Sequence, residues 1–307
     1  MMSPRRERPM VEPAEFASYY GRPILKEPAW KQPDVPLYLF LGGAAGASAS
    51  LGAVADATGQ PQLARVGRLV ASAGSAASVV ALVHDLGKPL RFLNMLRVFK
   101  PTSPLSVGSW ILSPFSGLAA VAAGSQITGR FPRIGRLAGA AAGVLGPAMC
   151  TYTAVLLADT ATPAWHEGYR ELTILFAGSA LASGAGAALV AVPVSEIDPA
   201  VRVGLIGAAA ELAAGLALER ELGLVSEPYR TGRAGKLLKA SRALTAAAAG
   251  LSLLAHRNRA AGVLAGAAYL AAGLCTRFGV YNAGVESAKD PKYVVIPQRE
   301  RLSRKVD

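Results

Sequence analysis

Eight long apolar stretches dominate the sequence and leave very few folds open to it. Each has about the 20 residues that a helix needs to cross the hydrocarbon core of a bilayer. Hydrophobic residues make up 52% of the chain and charged residues only 17%, a balance that argues against a water-soluble globule. We therefore predict an all-α polytopic membrane protein, a tight bundle of about eight transmembrane helices. The predicted spans are residues 36–57, 64–84, 106–126, 135–158, 170–192, 199–219, 236–255 and 260–280.

The spans divide the chain into three parts. Residues 1–35 are rich in proline and charge and are predicted to form an interfacial N-terminal arm. Residues 36–280 form the transmembrane domain, and residues 281–307 form a C-terminal tail. The first long apolar run begins only at Pro36, so we expect no cleaved signal.

The net charge of +12 would suggest a nucleic-acid ligand if its placement were ignored. With eight spans, three quarters of the 32 Lys and Arg residues fall on the side that holds both termini. This asymmetry is typical of the cytoplasmic side of a membrane protein. We therefore predict a multi-pass protein of the cytoplasmic membrane with both termini cytoplasmic, whose basic residues meet lipid headgroups and not nucleic acid.

Cysteine and histidine placement argues against a metal centre in this chain. Cys150 and Cys275 fall within or beside predicted spans, where they act as small hydrophobes, and the sequence contains no CxxC pair. His84, His166 and His256 are distributed over both sides of the membrane, so they cannot provide stacked pairs of axial haem ligands. We expect no haem and no metal here.

The second span ends in HDLGKPLRFLNML, beginning at His84. His84 and Asp85 are adjacent at a helix end, where they can hold and pass a proton. Lys88 and Arg91 extend from the same segment toward the membrane interface. The alternative is an ordinary polar cap of the helix.

The fourth span contains Tyr152 and Asp159, which are seven residues apart and therefore face the same direction. Quinone chemistry moves two electrons together with two protons. A phenol that hydrogen-bonds a quinone carbonyl, with a carboxylate nearby to exchange the proton, meets that need. Alternatively, Tyr152 is an interface anchor and Asp159 caps the helix.

Glu211 is the acid closest to the centre of a predicted span. A charged carboxylate at that depth is costly, so we expect Glu211 to be protonated or paired inside the bundle. It is a candidate for a proton path. Asp56, near the other end of the first span, is either the exit of that path or a solvated loop residue.

Three segments resemble a known family. They are PLYLFLGGAAGAS in the first span, HDLGKPLRFLNMLRVFKPTSPLSVGSW after the second and YTAVLLADTATPAW in the fourth. Together they are similar to the membrane subunits of the polysulfide reductase family, also called NrfD-like or PsrC-like proteins. The resemblance implies a haem-free, eight-helix subunit that binds menaquinone or ubiquinone. It also implies two partners, a four-cluster iron–sulfur protein and a molybdopterin catalytic subunit.

Single positions can be compared with the family. Tyr152 matches its fourth-helix tyrosine that contacts the quinone, and His84 and Asp85 fall in its motif that faces the iron–sulfur partner. A histidine that some members carry at the start of the first helix is absent, and Tyr38 is the nearest polar residue. Lys88, Arg91 and Asn94 in the same loop would help to dock the partner.

The residues chosen for a quinone pocket all fall toward the positively charged side. Because electron transfer needs the iron–sulfur cluster near the quinone, we expect the partner to dock on the cytoplasmic face. These residues are Trp30, Tyr38, His84, Asp85, Tyr152 and Asp159.

The leading hypothesis is therefore a membrane anchor that exchanges electrons between a quinone and an iron–sulfur subunit. A second hypothesis is a secondary transporter with Glu211 as its coupling carboxylate, although the sequence shows no convincing internal repeat. A third is an anchor that holds its partner without touching quinone.

Overall fold

The computed structural model describes residues 24–88 and 90–306, and the regular secondary structure of these residues is entirely helical. The predicted all-α fold is therefore confirmed, while most of the predicted N-terminal arm, residues 1–35, lies outside the described residues. The helices are α1 (Asp34–Ala57), α2 (Pro61–Asp85), α3 (Leu90–Met95), α4 (Pro104–Thr128), α5 (Pro132–Ala158), α6 (Pro163–Glu167), α7 (Tyr169–Ala191), α8 (Asp198–Glu221), α9 (Glu227–Arg230), α10 (Gly232–Leu253), α11 (Arg259–Lys289) and α12 (Lys292–Val306).

Each predicted span corresponds to one long helix, and seven of these helices have the length and apolar composition to cross a membrane. The chain is thus a multi-pass membrane protein. The eighth long helix, α10, has 22 residues, which gives a length of about 33 Å, but its first half carries too much charge to meet the same standard. The charges belong to Arg233, Lys236, Lys239 and Arg242.

One end of the bundle carries the described ends of the chain, and we call it the terminal face. It consists of residues 24–33, 86–88, 90–103, 159–168, 222–231 and 290–306. The Tyr281 hydroxyl donates to the carbonyl of Trp30 at 2.5 Å, and the Lys31 N–H donates to Asp85 at 2.8 Å. Arg301 of α12 pairs with Glu167 at 3.1 Å. These contacts join segments that are far apart in sequence.

The opposite end, which we call the far face, collects the remaining loops. The Glu196 carboxylate accepts hydrogen bonds from the backbone N–H groups of Gln62 and Leu63, at 2.9 and 3.0 Å. His256 lies 3.0 Å from Asp198 at the same end. Because successive loops alternate between the two faces, all eight long helices, α10 included, run from one face to the other.

Close approach of helix backbones holds the bundle together. A Cβ atom added at Gly46 of α1 would lie 2.7 Å from the carbonyl oxygen of Gly146 in α5. One added at Gly207 of α8 would lie 2.7 Å from the carbonyl oxygen of Gly178 in α7. Such contacts are what association in lipid requires, because apolar side chains gain nothing there by leaving the solvent.

The last long helix extends further than the sequence predicted. The span was expected to end near residue 280, but α11 continues to Lys289 before α12 begins. Tyr281, Gly284 and Ala288 lie on one face of this extension and are buried against neighbouring helices. Packing on the terminal face therefore keeps residues 281–289 helical, although their composition alone places them outside the membrane.

The helix α12 lies across the terminal face and is attached to it by two ion pairs. One is the Arg301–Glu167 pair, and the other joins Lys292 to Glu227 at 2.9 Å. The hydrogen bond from Lys292 holds the pKa of Glu227 below its ordinary value of 4.5. The same bond raises the pKa of Lys292 above its ordinary value of 10.5.

The packing of α4 on α5 gives a first prediction. A Cβ at Gly108 would lie 2.7 Å from a ring carbon of Tyr152, whereas Gly117 of the same helix has nothing within 4 Å. Gly108→Ala should lower the free energy of unfolding by about 1 to 3 kcal/mol through overpacking. Gly117→Ala should not lower it. Thermal unfolding of both variants in detergent measures the difference, and equal unfolding midpoints would contradict the contact.

The attachment of α12 should depend on pH. Because the folded pKa of Glu227 is lowered, its contribution is present above pH 4.5 and is lost as acid protonates it. The raised pKa of Lys292 makes its contribution present below pH 10.5 and lost in base. A nitroxide at Ile296→Cys, in a Cys275→Ala background, should be immobile at neutral pH and mobile at both extremes.

Glu227→Gln should give the mobile spectrum already at neutral pH, because the charged partner of Lys292 is gone. Glu300→Gln is the matched control, since this exposed glutamate of α12 forms no ion pair among the described residues. If the two variants gave the same spectrum, the Lys292–Glu227 pair would not be what attaches the start of α12.

Candidate functional site

Two tyrosines from different helices meet inside the terminal half of the bundle. The hydroxyl groups of Tyr38 in α1 and Tyr152 in α5 are 2.5 Å apart, and the rings meet edge to face at 6.4 Å. Both side chains are buried, at 3% and 7% exposure. Each phenol has one proton to donate, so one hydroxyl uses its proton in the shared bond and the other keeps a proton for a third group.

A carboxylate and an imidazole lie at the surface beside this pair. His84 Nδ1 lies 2.7 Å from Asp34 Oδ2, with the His84 side chain 75% exposed and the Asp34 side chain 14% exposed. Asp34 precedes Tyr38 by four residues in α1, which places both on one face of the helix. The pair of His84 and Asp34 therefore lies one helical turn from Tyr38 on the solvent side, although no hydrogen bond among the described residues joins Asp34 to Tyr38. Asp34 was not predicted as a site residue, although an acid in the first turn of an apolar helix is a usable signal.

Asp85 and Asp159 form contacts other than those that the sequence predicted. Asp85 accepts the backbone N–H of Lys31 at 2.8 Å and so ties the end of α2 to the segment before α1. Asp159 is exposed at the C-terminal cap of α5, about 10 Å along the helix axis from Tyr152. The hydroxyl of Tyr152 meets Tyr38, from another helix, and not Asp159.

An aromatic cluster lies on the terminal face. The rings of Trp30 and Trp165 stack with centroids 5.6 Å apart, and Tyr281 lies 5.9 Å from Trp165. Trp165 is fully buried, and its indole N–H donates to the carbonyl of Val280 at 2.8 Å. Trp30 was predicted as a site residue from the sequence and Trp165 was not, and the only signal for Trp165 is its place at the end of the family-like segment YTAVLLADTATPAW.

A cavity of about 290 Å³ opens beside this cluster. Its wall is mainly apolar and aromatic, with Lys26 and two threonines as its polar residues. An apolar, ring-lined cavity with a few polar groups is the usual form of a site for a flat organic ligand. The lining includes Lys26, Pro28, Trp30, Thr160, Thr162 and Trp165.

The loop after α2 presents a cationic and apolar surface on the terminal face. Lys88, Arg91 and Asn94 are exposed, and Arg91 also donates to the carbonyl of Leu86 at 3.1 Å. Leu90 and Leu93 of α3 are exposed beside them, at 73% and 58%. A surface of this composition suits contact with another molecule better than contact with water.

Glu211 lies deep between α8, α10 and α11, at 4% exposure. Its carboxyl oxygens are 2.5 Å from the hydroxyl of Thr276, 3.2 Å from that of Thr245 and 3.5 Å from that of Ser241. Within the described part of the chain, no cationic side chain forms an ion pair with it. Three hydroxyl groups thus take the place that water would have around this acid.

Arg277 is a buried cation that was not predicted as a site residue from the sequence. It is 1% exposed, and its guanidinium lies 3.8 Å above the ring of Phe176. One amino group donates to the Phe176 carbonyl at 3.0 Å, while Nη1 has no hydrogen-bond partner among the described residues. The usable signal was an arginine inside the last predicted apolar span.

Asp56 lies toward the far face, at the end of α1. It pairs with Arg68 at 2.9 Å, and Arg68 also donates to Gln126 at 2.7 Å. The charge of Asp56 is therefore neutralised by Arg68. The other predicted site residues, apart from Glu211, gather in the terminal half of the bundle.

Comparison with known proteins agrees with this architecture. The family model described as polysulphide reductase, NrfD, matches residues 27–198, which is more than half of the chain and spans α1 to α7. No curated protein matches the sequence. The matched segment includes Trp30, Tyr38, His84 and Tyr152, whereas the cluster around Glu211 lies beyond it. The chain belongs to the NrfD family of polysulphide reductase membrane subunits.

Proposed function

We propose that this membrane subunit reacts with a quinone on its terminal face. It exchanges electrons with an iron–sulfur subunit that serves a molybdopterin catalytic subunit. The observation that carries the proposal is the buried pair of phenols, Tyr38 and Tyr152, with one hydroxyl proton free to donate. The family supports the role of membrane subunit in such a complex, and the chemistry of the phenols supports the quinone.

The side chains fit a quinone in two respects. The cavity beside Trp30 and Trp165 has aromatic walls and room for a flat ring. The phenol pair, which lies outside the lining of that cavity, provides one hydrogen-bond donor for a carbonyl oxygen. A bound quinone supplies the two-electron chemistry, and the chain itself supplies orientation, exclusion of water and protons.

The protons would move between solvent and the phenols through Asp34 and His84. His84 is exposed enough to equilibrate with bulk water, and its imidazole is 2.7 Å from Asp34. Asp34 is one helical turn from Tyr38, whose hydroxyl contacts Tyr152. Asp85 supports this arrangement indirectly, because its bond to Lys31 fixes the segment that leads into α1. Asp159, exposed at the same face, offers a second exchange point.

The iron–sulfur partner would dock on the terminal face around Lys88, Arg91 and Asn94. These residues are exposed and lie on the same face as Trp30 and His84, so a cluster bound there approaches the quinone. A net positive surface favours a partner with acidic groups at its contact. The excess of Lys and Arg on this side supports its assignment as the cytoplasmic side of the cytoplasmic membrane.

Tyr152→Phe tests the quinone assignment. Loss of the phenol proton should lower quinone-linked turnover about 100-fold or more, the usual contribution of a proton donor. Assembly of the complex should be unchanged, because the aromatic ring that packs against Gly108 remains. Turnover with the native quinone, and co-purification of iron and molybdenum, are the two measurements.

Tyr169→Phe is the matched control, since Tyr169 is an exposed tyrosine at the start of α7 near the same face. It should keep full turnover. Unchanged turnover in Tyr152→Phe would remove the quinone role of this residue and leave an anchor that holds its partners without reacting with quinone.

Glu211 would add a proton path to this chemistry. A buried acid that is surrounded by hydroxyl groups and forms no ion pair among the described residues is most stable when protonated. It can release and regain that proton without breaking an ion pair. Asp56 at the far face would receive the proton once its bond to Arg68 opens.

Glu211→Gln tests the path, because glutamine keeps the shape and the hydrogen bonds but has no proton to release. Quinone-linked electron transfer should continue, and the number of protons moved across the membrane per electron should fall. Glu286→Gln, an exposed acid of α11, should leave that number unchanged. The measurement is proton uptake by vesicles that contain the complex, and an unaltered ratio in Glu211→Gln would exclude the path.

A further inference from the structure

The outward face of α10 is unusually polar for a helix that crosses the bundle. Its side chains at Lys236 and Lys239 are exposed, and Arg233 precedes them on the first turn. No described carboxylate forms an ion pair with any of the three. The next cation along the helix, Arg242, differs because it pairs with Glu219 at 2.5 Å.

The position of these cations along the helix is the unusual feature. Lys239 lies seven residues after Gly232, about 10 Å along the axis from the start of the helix at the terminal face. A lysine at that depth must stretch its side chain back toward the interface, or an anion must come down to meet it. The same charges are the reason that α10 alone among the long helices fails the composition of a membrane span.

Beyond Lys239, the same face of α10 becomes apolar. From Ala240 to Gly250 its exposed residues are small side chains at helical spacing, which form a shallow stripe along the outside of the bundle as far as the exposed Leu253. Small residues leave room for a straight chain to lie close to the helix. The stripe consists of Ala240, Ala243, Ala246, Ala247 and Gly250.

A cavity of about 620 Å³, whose lining includes neither lysine of α10, lies at the terminal end of that helix. Arg233 lines it, and two acids in its wall, Glu286 and Asp290, are already engaged by Lys289 and Lys292. Three features therefore occur in order along α10. They are a cavity that can hold a headgroup, cations without an ion pair among the described residues, and a stripe of small side chains.

We propose that α10 carries a binding site for an anionic phospholipid. The headgroup phosphate pairs with Lys236 and Lys239 and extends toward Arg233, and an acyl chain lies along the alanine stripe. Charge complementarity selects this occupant, because a zwitterionic headgroup would bring its own cation to the same surface. The site is independent of the quinone proposal, since it lies on the outside of α10 and shares no residue with the phenol pair.

The test compares stabilisation by two lipids. Full-length protein in detergent is titrated with phosphatidylglycerol or with phosphatidylcholine, and the unfolding midpoint is followed. Phosphatidylglycerol should raise the midpoint more than phosphatidylcholine does. Each lysine at an anionic headgroup strengthens binding about fivefold, so Lys236→Gln with Lys239→Gln should raise the phosphatidylglycerol concentration for half of the effect about 25-fold.

Two further variants serve as controls. Lys236→Arg with Lys239→Arg keeps both charges and should keep the response to phosphatidylglycerol. Arg133→Gln with Arg136→Gln removes two exposed cations of the same spacing from the start of α5 at the far face, and should also keep it. Native mass spectrometry of the wild-type protein should show retained phosphatidylglycerol even if a variant fails to fold.

Three results would overturn the proposal. They are equal stabilisation of the wild-type protein by both lipids, an unchanged midpoint response in the glutamine variant, and absence of retained anionic lipid in the mass spectrum. A wild-type dimer that shows no response to phosphatidylglycerol would assign the face to a second copy of the chain instead.

Discussion

The contact of one helix backbone with another is the constraint on which the structure depends. In lipid, an apolar side chain gains nothing by leaving the solvent, so helices associate only where their surfaces fit closely. The contacts Gly46–Gly146 and Gly178–Gly207 satisfy this by removing the side chain altogether. With α1 held against α5 in this way, Tyr38 and Tyr152 come within hydrogen-bond distance. The phenol pair is therefore a product of helix packing, whereas the cavity beside Trp30 and Trp165 is lined mainly by connecting segments.

The sequence predicted the number and approximate limits of the long helices because hydrophobicity over 20 residues is a local property. It predicted the partner of Tyr152 less well. Helical periodicity identifies Asp159 as a residue on the same face, but only the packing of α1 on α5 shows that the phenol reaches Tyr38. Asp34 and Arg277 went unnoticed for the same reason, since their importance lies in neighbours from other helices. The extension of α11 to Lys289 also depends on tertiary contacts.

The two halves of the chain contribute different chemistry. The segment matched by the family, residues 27–198, supplies the phenols, the surface imidazole and the tryptophan stack near the terminal face. The remaining helices supply the buried acid with its three hydroxyl partners, and the buried arginine. Arg277 links the halves, because its guanidinium contacts the carbonyls of Leu39 in α1 and Phe176 in α7. Arg277 directly follows Thr276, which hydrogen-bonds Glu211. A change of charge at Glu211 therefore occurs next to a residue that contacts the helix of Tyr38.

The bond between Trp30 and Tyr281 joins the segment before the first span to the last one. Trp165 fills the space between them, and the ring lies so close to Gly284 that no larger residue fits there. During synthesis, the first helices enter the membrane long before α11 leaves the ribosome. The stack of Trp30 and Trp165 therefore gains its contact with Tyr281 only once α11 has inserted and packed beside it.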